Sequence, residues 1–179
     1  MLFQWSVADM TESWIDVYFL RHGIAVPRDG HWDDWHRPLT DRGRRRTRQV
    51  AQRLKVLGIS FDRLMTSPLV RAVQTAEICC DAHLAETSQV CDALAPGGSQ
   101  VLWLEWLSTA PTAEMSTLGL IGHEPDLSQW AQQLVHGNVS RGDEWLLKKA
   151  GVIGIRVPRH QIAWGSGQLF WLAPPRLML

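Results

Sequence analysis

The sequence predicts an α/β protein with the architecture of a three-layer α/β/α sandwich. Short apolar segments rich in β-branched residues alternate with longer segments whose apolar residues recur at helical spacing. The 179-residue chain is also 45% hydrophobic and 20% charged, which is ordinary for a globular domain and excludes a disordered or collagen-like protein. We predict one domain over residues 14–179, preceded by a loose N-terminal extension over residues 1–13.

The first segments of the domain predict a strand, a loop and a helix. Residues 14–20 are aromatic and β-branched with one acid, which is typical of a strand buried on both faces. The polar residues 24–39, which include prolines and glycine, form a loop. Thr40 is a good N-cap for a helix that continues to about Leu57, and Gly58 ends that helix.

A second strand and helix follow, starting at residues 61–66. We expect Ser67 and Pro68 to open the helix directly after this strand, with Ser67 as its N-cap and Pro68 in its first turn. A weak third strand covers about residues 88–91, and Ser99 caps a third helix.

The last part of the domain predicts one more strand and helix and then a hairpin. Residues 118–121 form an apolar strand, and the helix after it has an apolar face at helical spacing. Residues 151–157 and 168–172 are both apolar and β-rich, and a turn-forming stretch with proline and glycines separates them. This pattern indicates an antiparallel hairpin.

Composition excludes several classes of partner. The chain has 18 Lys and Arg against 18 Asp and Glu, so its formal net charge is zero, and we expect neither nucleic acid nor a membrane as a partner. Cys79, Cys80 and Cys91 lack zinc-knuckle or redox spacing, so we interpret them as buried, reduced thiols. The N-terminus lacks the basic start of a signal peptide, and we predict a soluble cytoplasmic protein.

Side chains suited to catalysis lie at three predicted strand-to-helix junctions. Because the carboxyl ends of parallel strands meet at one edge of a sheet, we expect these side chains to converge there. Helix N-termini and arginines both favour an anion, and a dianionic phosphoryl group would balance this charge. The candidate residues are Arg21, His22 and Gly23 at the first junction, Arg71 at the second, and His123 and Glu124 at the third.

Histidine is the candidate nucleophile of this group. No serine lies in a Gly-x-Ser-x-Gly elbow, and no cysteine lies in a glycine-rich phosphate loop. A neutral imidazole can attack phosphorus and form a phosphohistidine that water then hydrolyses. The arginines and the second histidine hold the phosphoryl oxygens as charge redistributes. This scheme requires no metal ion and no cofactor.

Four motifs occur in order along the chain. They are Arg21-His22-Gly23, Arg37-Pro38-Leu39-Thr40 with Gly43, Ser67-Pro68-Leu69-Val70-Arg71-Ala72, and Gly122-His123-Glu124-Pro125. Together they resemble the histidine phosphatase superfamily, which has the phosphoglycerate mutase-like fold. The short length and the turn at residues 94–98 make the chain most similar to the SixA-type protein phosphohistidine phosphatases. The resemblance extends over about residues 14–175.

The resemblance implies a fold and a role for each motif residue. It implies that His22 is the phosphorylated nucleophile and that Arg21, Gly23, Arg71 and His123 bind the phosphoryl group. It also implies a mostly parallel six-stranded sheet with one antiparallel strand. Larger relatives have an inserted subdomain over the site. This chain has only short loops there, so we expect an open pocket that suits a phosphorylated protein side chain.

The proton donor is the point at which the chain departs from the family pattern. Many relatives have an acid after the third strand, and Asp92 does not fall at the expected position of that acid. Glu124 is the alternative, since related acid phosphatases use an acid directly after the second histidine. Imidazole is a better leaving group than an alkoxide and depends less on a proton donor. The lack of an acid at the expected position therefore favours phosphohistidine as the substrate.

Two other functions remain open at this point. A phosphomonoesterase acting on sugar or nucleotide phosphates would use the same site but needs a working proton donor. A module that binds phosphohistidine without hydrolysing it would have the same pocket, although the intact nucleophile and both arginines argue against it.

Three further clusters have simpler interpretations. We interpret Lys148 and Lys149 as flanking a strand end rather than as a rim for phosphate. We interpret one loop as a packed loop or a rim for the substrate rather than as a weak zinc site. Its residues are His31, Trp32, Trp35 and His36. The first helix has a basic side, which we interpret as a solvated face or as a docking face for an acidic phosphoprotein. Its residues are Arg42, Arg44, Arg45, Arg46, Arg48 and Arg53.

Overall fold

The computed structural model describes residues 13–109, 115–137 and 145–179. The predicted extension over residues 1–13 lies outside these residues, apart from Ser13. The strands are β1 (Trp14–Arg21), β2 (Arg63–Thr66), β3 (Gln89–Val90), β4 (Thr117–Gly122), β5 (Val152–Pro158) and β6 (Gln168–Ala173). The α-helices are α1 (Asp41–Val56), α2 (Val70–Asp81), α3 (Gln100–Thr109) and α4 (Asp126–His136). Within these three ranges, no helix has the length and apolar character needed to span a membrane.

The strands form one six-stranded sheet in the order β3-β2-β4-β1-β5-β6. The pairs β1–β4, β2–β4 and β2–β3 are parallel, whereas β5 is antiparallel to both of its neighbours, β1 and β6. The mostly parallel sheet with one antiparallel strand is therefore confirmed. The predicted C-terminal hairpin is the pair β5–β6.

The central strand β1 packs against helices on both faces of the sheet. Successive side chains of a strand point to opposite faces, and the apolar residues of β1 divide between two cores accordingly. Tyr18 and Leu20 join the core that contains residues of α1 and α2. Val17 and Phe19 join the core that contains residues of α3 and α4. The three-layer α/β/α sandwich is therefore confirmed.

Helix α1 begins where the sequence predicts, whereas α2 begins later. Thr40 is the N-cap of α1, and its hydroxyl accepts the backbone N–H three residues on, at 3.0 Å. The N-cap of α2 is Leu69, so the prediction that Ser67 caps this helix and that Pro68 lies in its first turn was wrong. The Ser67 hydroxyl lies instead 2.8 Å from Nε2 of His123, a partner distant in the sequence.

The topology brings four segments of the chain to one edge of the sheet. The parallel strands β1, β2 and β4 end at this edge, and β5 begins there because it runs in the opposite direction. Hydrogen bonds join the segments: the His22 N–H donates to the Gly122 carbonyl at 3.1 Å, and the Arg21 N–H donates to the Gly151 carbonyl at 3.2 Å. All three predicted junctions therefore meet, together with the start of β5.

Candidate active site

A cavity of about 650 Å³ opens at this edge of the sheet. Gly23 lies beside it and donates its N–H to the Thr75 hydroxyl at 3.1 Å, which ties the end of β1 to α2. A Cβ atom at Gly23 would overlap the side chain of Thr47, so this approach requires glycine. The other five candidate residues line the cavity, and they are Arg21, His22, Arg71, His123 and Glu124.

His22 is buried, and its partners define which ring nitrogen carries the proton. Nδ1 lies 2.7 Å from the Gly23 carbonyl, which can only accept, so Nδ1 carries the hydrogen. Nε2 receives the Nε–H of Arg71 at 3.3 Å, so Nε2 holds a lone pair. Burial, and then the neighbouring His123, Arg71 and Arg21, lower the pKa of His22 to about 2, against the opposing hydrogen bond to Gly23. The imidazole is therefore neutral, with its lone pair on the nitrogen that faces Arg71.

Arg71 is 1% exposed and lies between His22 and the loop before α1. Its terminal nitrogens donate to Asp34, one to the backbone carbonyl at 2.6 Å and the other to the carboxylate at 3.2 Å. Arg28 and Arg37 also donate to the Asp34 carboxylate, each at 2.9 Å. Burial acts to raise the pKa of Asp34, but these hydrogen bonds and the Arg71 charge hold it well below its usual value.

Sequence reasoning missed Asp34. The acid lies in a loop of irregular structure, and its partner Arg71 is 37 residues away. The signal present in the sequence is local: Asp34 precedes Arg37 by three residues, and the two pair in the structure at 2.8 Å. Asp34 positions the wall of the cavity because it joins three arginines from two parts of the chain.

His123 lies beside His22, with their ring centroids 5.0 Å apart, and both line the cavity. The ring is 3% exposed, and burial and the nearby arginines lower its pKa to about 3, so it too is neutral. Ser67 contacts Nε2 at 2.8 Å, whereas Nδ1 is buried without a hydrogen-bond partner among the described residues.

Arg21 and Glu124 line the same cavity and have one buried polar atom each without a described partner, Nε of Arg21 and Oε1 of Glu124. Arg21 also donates to the Leu147 carbonyl at 2.9 Å, and Glu124 accepts from the Ser128 hydroxyl at 2.6 Å. Burial raises the pKa of Glu124, although Ser128 and Arg21 act to lower it. This carboxyl therefore holds its proton to higher pH than an exposed glutamate.

Three buried polar atoms without a described partner thus belong to residues that line one cavity. Buried polar atoms normally have partners, and each exception calls for an explanation. The Nε–H of Arg21 is a donor, and Nδ1 of His123 is a donor when the Ser67 hydroxyl donates to Nε2. An anion in the cavity would lie among Arg21, His22, Arg71 and His123, which line it. The geometry is therefore suited to hold a tetrahedral anion against the lone pair of His22.

Several features from the sequence lie outside this arrangement. Asp92 is exposed in a short 3₁₀ helix and does not line the cavity. The loop histidines pair with aspartates, His31 with Asp29 and His36 with Asp33, and the described residues contain no group of three side chains able to hold a metal ion. All three cysteines lie in the described ranges and are free, although of the three only Cys79 is fully buried.

The two lysines before β5 differ in their surroundings. Lys149 is half-buried and lines the cavity, whereas Lys148 is exposed and does not. From the sequence, we interpret both lysines as residues that merely flank a strand end. This interpretation does not hold for Lys149, because Lys149 lines the cavity.

The chain is similar to known proteins in sequence and in fold. Residues 17–95 match the family model of the histidine phosphatase superfamily (branch 1). An uncharacterized protein of Picosynechococcus sp. is 45% identical over 166 residues, which cover 92% of this chain and 99% of that protein. Phosphohistidine phosphatase SixA of Escherichia coli (strain K12) is 29% identical over 124 residues, or 69% of this chain and 76% of SixA. A solved structure of the protein histidine phosphatase SixA complexed with tungstate has the same fold, with a TM-score of 0.79 and 24% identity, covering 92% of this chain and all of that one.

Proposed function

The chain belongs to the histidine phosphatase superfamily, and from this premise we propose that it hydrolyses phosphohistidine in proteins through a covalent phosphoryl intermediate on His22. One observation carries the proposal. Burial and the neighbouring His123 and arginines keep the His22 imidazole neutral, and its hydrogen bonds to the Gly23 carbonyl and from Arg71 leave the lone pair on Nε2. A neutral imidazole in this state is ready to act as a nucleophile.

In the first step, the phosphorylated side chain enters the cavity and its phosphorus comes opposite Nε2 of His22. The Arg71 Nε–H turns from the lone pair to a phosphoryl oxygen, and Nε2 forms a bond to phosphorus. The bond from phosphorus to the substrate imidazole breaks, and the leaving nitrogen takes the electron pair. With a proton on its other nitrogen, this imidazole leaves as a neutral molecule.

In the second step, water attacks the phosphoryl group on His22. The N–P bond breaks, Nε2 regains its lone pair, and inorganic phosphate takes up the proton of the water. Arg21, Arg71 and His123 donate hydrogen bonds to the phosphoryl oxygens in both steps. Donors fixed in place before the reaction stabilise charge that develops in the transition state, which is the main source of catalysis in phosphoryl transfer.

The choice of a protein substrate rests on the relatives and on the shape of the site. The E. coli relative SixA is a phosphohistidine phosphatase by name, and SixA was solved with tungstate, a tetrahedral oxyanion like phosphate. The rim of the cavity consists of residues 24–28 and Pro96, which are loop residues, rather than an inserted subdomain. Such a rim gives a histidine on a protein surface access to His22.

A small phosphate ester is the second candidate substrate, and Glu124 is the observation that favours it. An alkoxide leaving group requires a proton donor, and a buried carboxyl with a raised pKa is suited to that task. Protonated imidazole, in contrast, leaves without a further donor. The two substrate classes therefore differ in their dependence on this one residue.

Replacing Glu124 with glutamine separates the two candidates. We expect E124Q to change kcat/KM for a phosphohistidine peptide by less than about threefold but to lower kcat for an alkyl phosphate about a hundredfold, the size of a typical general-acid contribution. D92N is the matched control and should leave both rates unchanged. A large loss on the phosphohistidine peptide with E124Q would contradict the proposed leaving-group chemistry.

The proposed function is tested by a phosphate-release panel. The panel compares a phosphohistidine peptide with sugar and nucleotide phosphates at equal concentrations. We expect the highest kcat/KM on the phosphohistidine peptide. Faster hydrolysis of a sugar or nucleotide phosphate would favour the phosphomonoesterase. Tight binding of the peptide without release of phosphate from any substrate would identify a binding module.

A further inference from the structure

The turn before β5 contributes one residue, Lys149, to the lining of the cavity. Because β5 is antiparallel to β1, its first residues lie beside the last residues of β1, where His22 begins the site. The segment over residues 147–151 therefore reaches the cavity without following a parallel strand. We refer to this segment as the β5 turn.

Hydrogen bonds attach the β5 turn to Arg21 and His22. The Ala150 N–H donates to the carbonyls of Arg21 and His22, at 3.0 and 3.2 Å. In return, the Arg21 side chain donates to the Leu147 carbonyl at 2.9 Å, and its backbone N–H donates to the Gly151 carbonyl at 3.2 Å. The turn is thus fixed to the same two residues that begin the phosphoryl site.

The backbone of the β5 turn adopts a conformation that side chains disfavour. Ala150 has a φ of 61°, in the left-handed region, and it is 5% exposed. Residues other than glycine, asparagine and aspartate rarely adopt this region, and such strain concentrates at functional sites. The closing bond of the turn is short, with the Gly151 N–H donating to the Lys148 carbonyl at 2.6 Å. This conformation places Lys149 at the tip of the turn.

Lys149 lies among cations. It lines the cavity together with Arg21, Arg28, Arg37 and Arg71, and burial and then the charges of these arginines lower the pKa of its ammonium. Within residues 13–109, 115–137 and 145–179, no carboxylate forms an ion pair with Lys149. Asp34 forms its ion pairs with Arg28, Arg37 and Arg71 instead.

We propose that Lys149 is a further substrate-binding residue, which the antiparallel strand brings to the cavity so that its ammonium contacts the transferred phosphoryl group on the side of Arg21. The proposal rests on the proposed function for the identity of the anion. An anion in the cavity relieves the repulsion among these cations, and a lysine contributes a point charge where the arginines contribute planar forks.

Lys148 provides a matched control because it is the neighbouring lysine and is exposed outside the cavity. We therefore compare K149M, K149R and K148M with the wild-type protein. Calorimetry measures the Kd of tungstate, and steady-state kinetics measure KM and kcat for p-nitrophenyl phosphate. Thermal unfolding of each variant reports on whether the β5 turn still folds.

We expect K149M to weaken tungstate binding about tenfold or more, the loss that removal of one charge-assisted hydrogen bond produces. KM for p-nitrophenyl phosphate should rise by a similar factor while kcat changes less. K149R should recover most of the affinity, and K148M should match the wild type. Tungstate binding by folded K149M at the wild-type Kd would overturn the proposal, as would equal losses in K149M and K148M.

The two measurements keep the failure of this proposal distinct from the failure of the proposed function. If the wild type binds tungstate and K149M does not, yet no phosphate ester or phosphohistidine peptide is hydrolysed, Lys149 is an anion ligand and only the proposed function is wrong. If hydrolysis is normal and K149M binds like the wild type, only the role of Lys149 is wrong. Failure of the wild type to bind tungstate would overturn both.

Discussion

Replacing His22 with alanine is expected to abolish hydrolysis, with kcat/KM on a phosphohistidine peptide falling by about four orders of magnitude or more. We expect so large a loss because no other described side chain that lines the cavity is suited to attack phosphorus. Nε2 of His22 holds the lone pair that forms the bond to phosphorus, whereas Nε2 of His123 is occupied by Ser67. Release of inorganic phosphate under single-turnover conditions measures the effect.

His160→Ala is the control for this prediction, because His160 is exposed and lies outside the cavity. The control should hydrolyse the peptide at the wild-type rate. H22A should still bind tungstate, since Arg21, Arg71 and His123 remain. Hydrolysis by H22A within tenfold of the wild-type rate would mean that another group attacks phosphorus.

Replacing Arg71 with alanine is expected to lower kcat/KM about a thousandfold, the loss that follows removal of one preorganised donor to the developing charge. Arg71 contacts the nucleophile through Nε and holds Asp34 through both terminal nitrogens. Its removal therefore takes a charge from the cavity and also releases the loop that forms the cavity wall. Steady-state hydrolysis of the phosphohistidine peptide measures the combined effect.

R71K tests the geometry of this arrangement separately from its charge. A lysine keeps the positive charge but cannot contact His22 and Asp34 through one planar group, so R71K should recover less than half of the lost transition-state free energy. Arg53→Ala, on the exposed face of α1, should leave the rate unchanged. Activity of R71A close to that of the wild type would exclude a role for this guanidinium in catalysis.

The sequence was sufficient to predict the architecture and the edge at which the cavity lies. β1 is mostly aromatic and β-branched, which is typical of a strand covered on both faces, and Thr40 marks the start of α1 through a local hydrogen bond. Arg21 ends β1, His22 directly follows it, and His123 directly follows the parallel strand β4. Such features depend on neighbouring residues, so a single sequence contains them.

The remainder depends on contacts between distant parts of the chain. Ser67 resembles a helix cap in sequence, but its hydroxyl lies 2.8 Å from Nε2 of His123, 56 residues away. Asp34 and Arg71 pair across 37 residues, from a loop without periodic pattern. Lys149 reaches the cavity because β5 lies antiparallel beside β1, and the sequence pattern predicts the hairpin of β5 with β6 but not this position next to β1. Sequence patterns alone do not specify these pairings.

The central claim is that the phosphoryl group passes through His22. Its most direct test is mass spectrometry of the protein mixed rapidly with a phosphoryl donor and quenched at alkaline pH, where phosphohistidine survives. The account predicts the added mass of one phosphoryl group on the peptide that contains residue 22, and its absence from H22A. A phosphoryl group on His123 or on any other residue of the wild type, with residue 22 unmodified during turnover, would contradict the account.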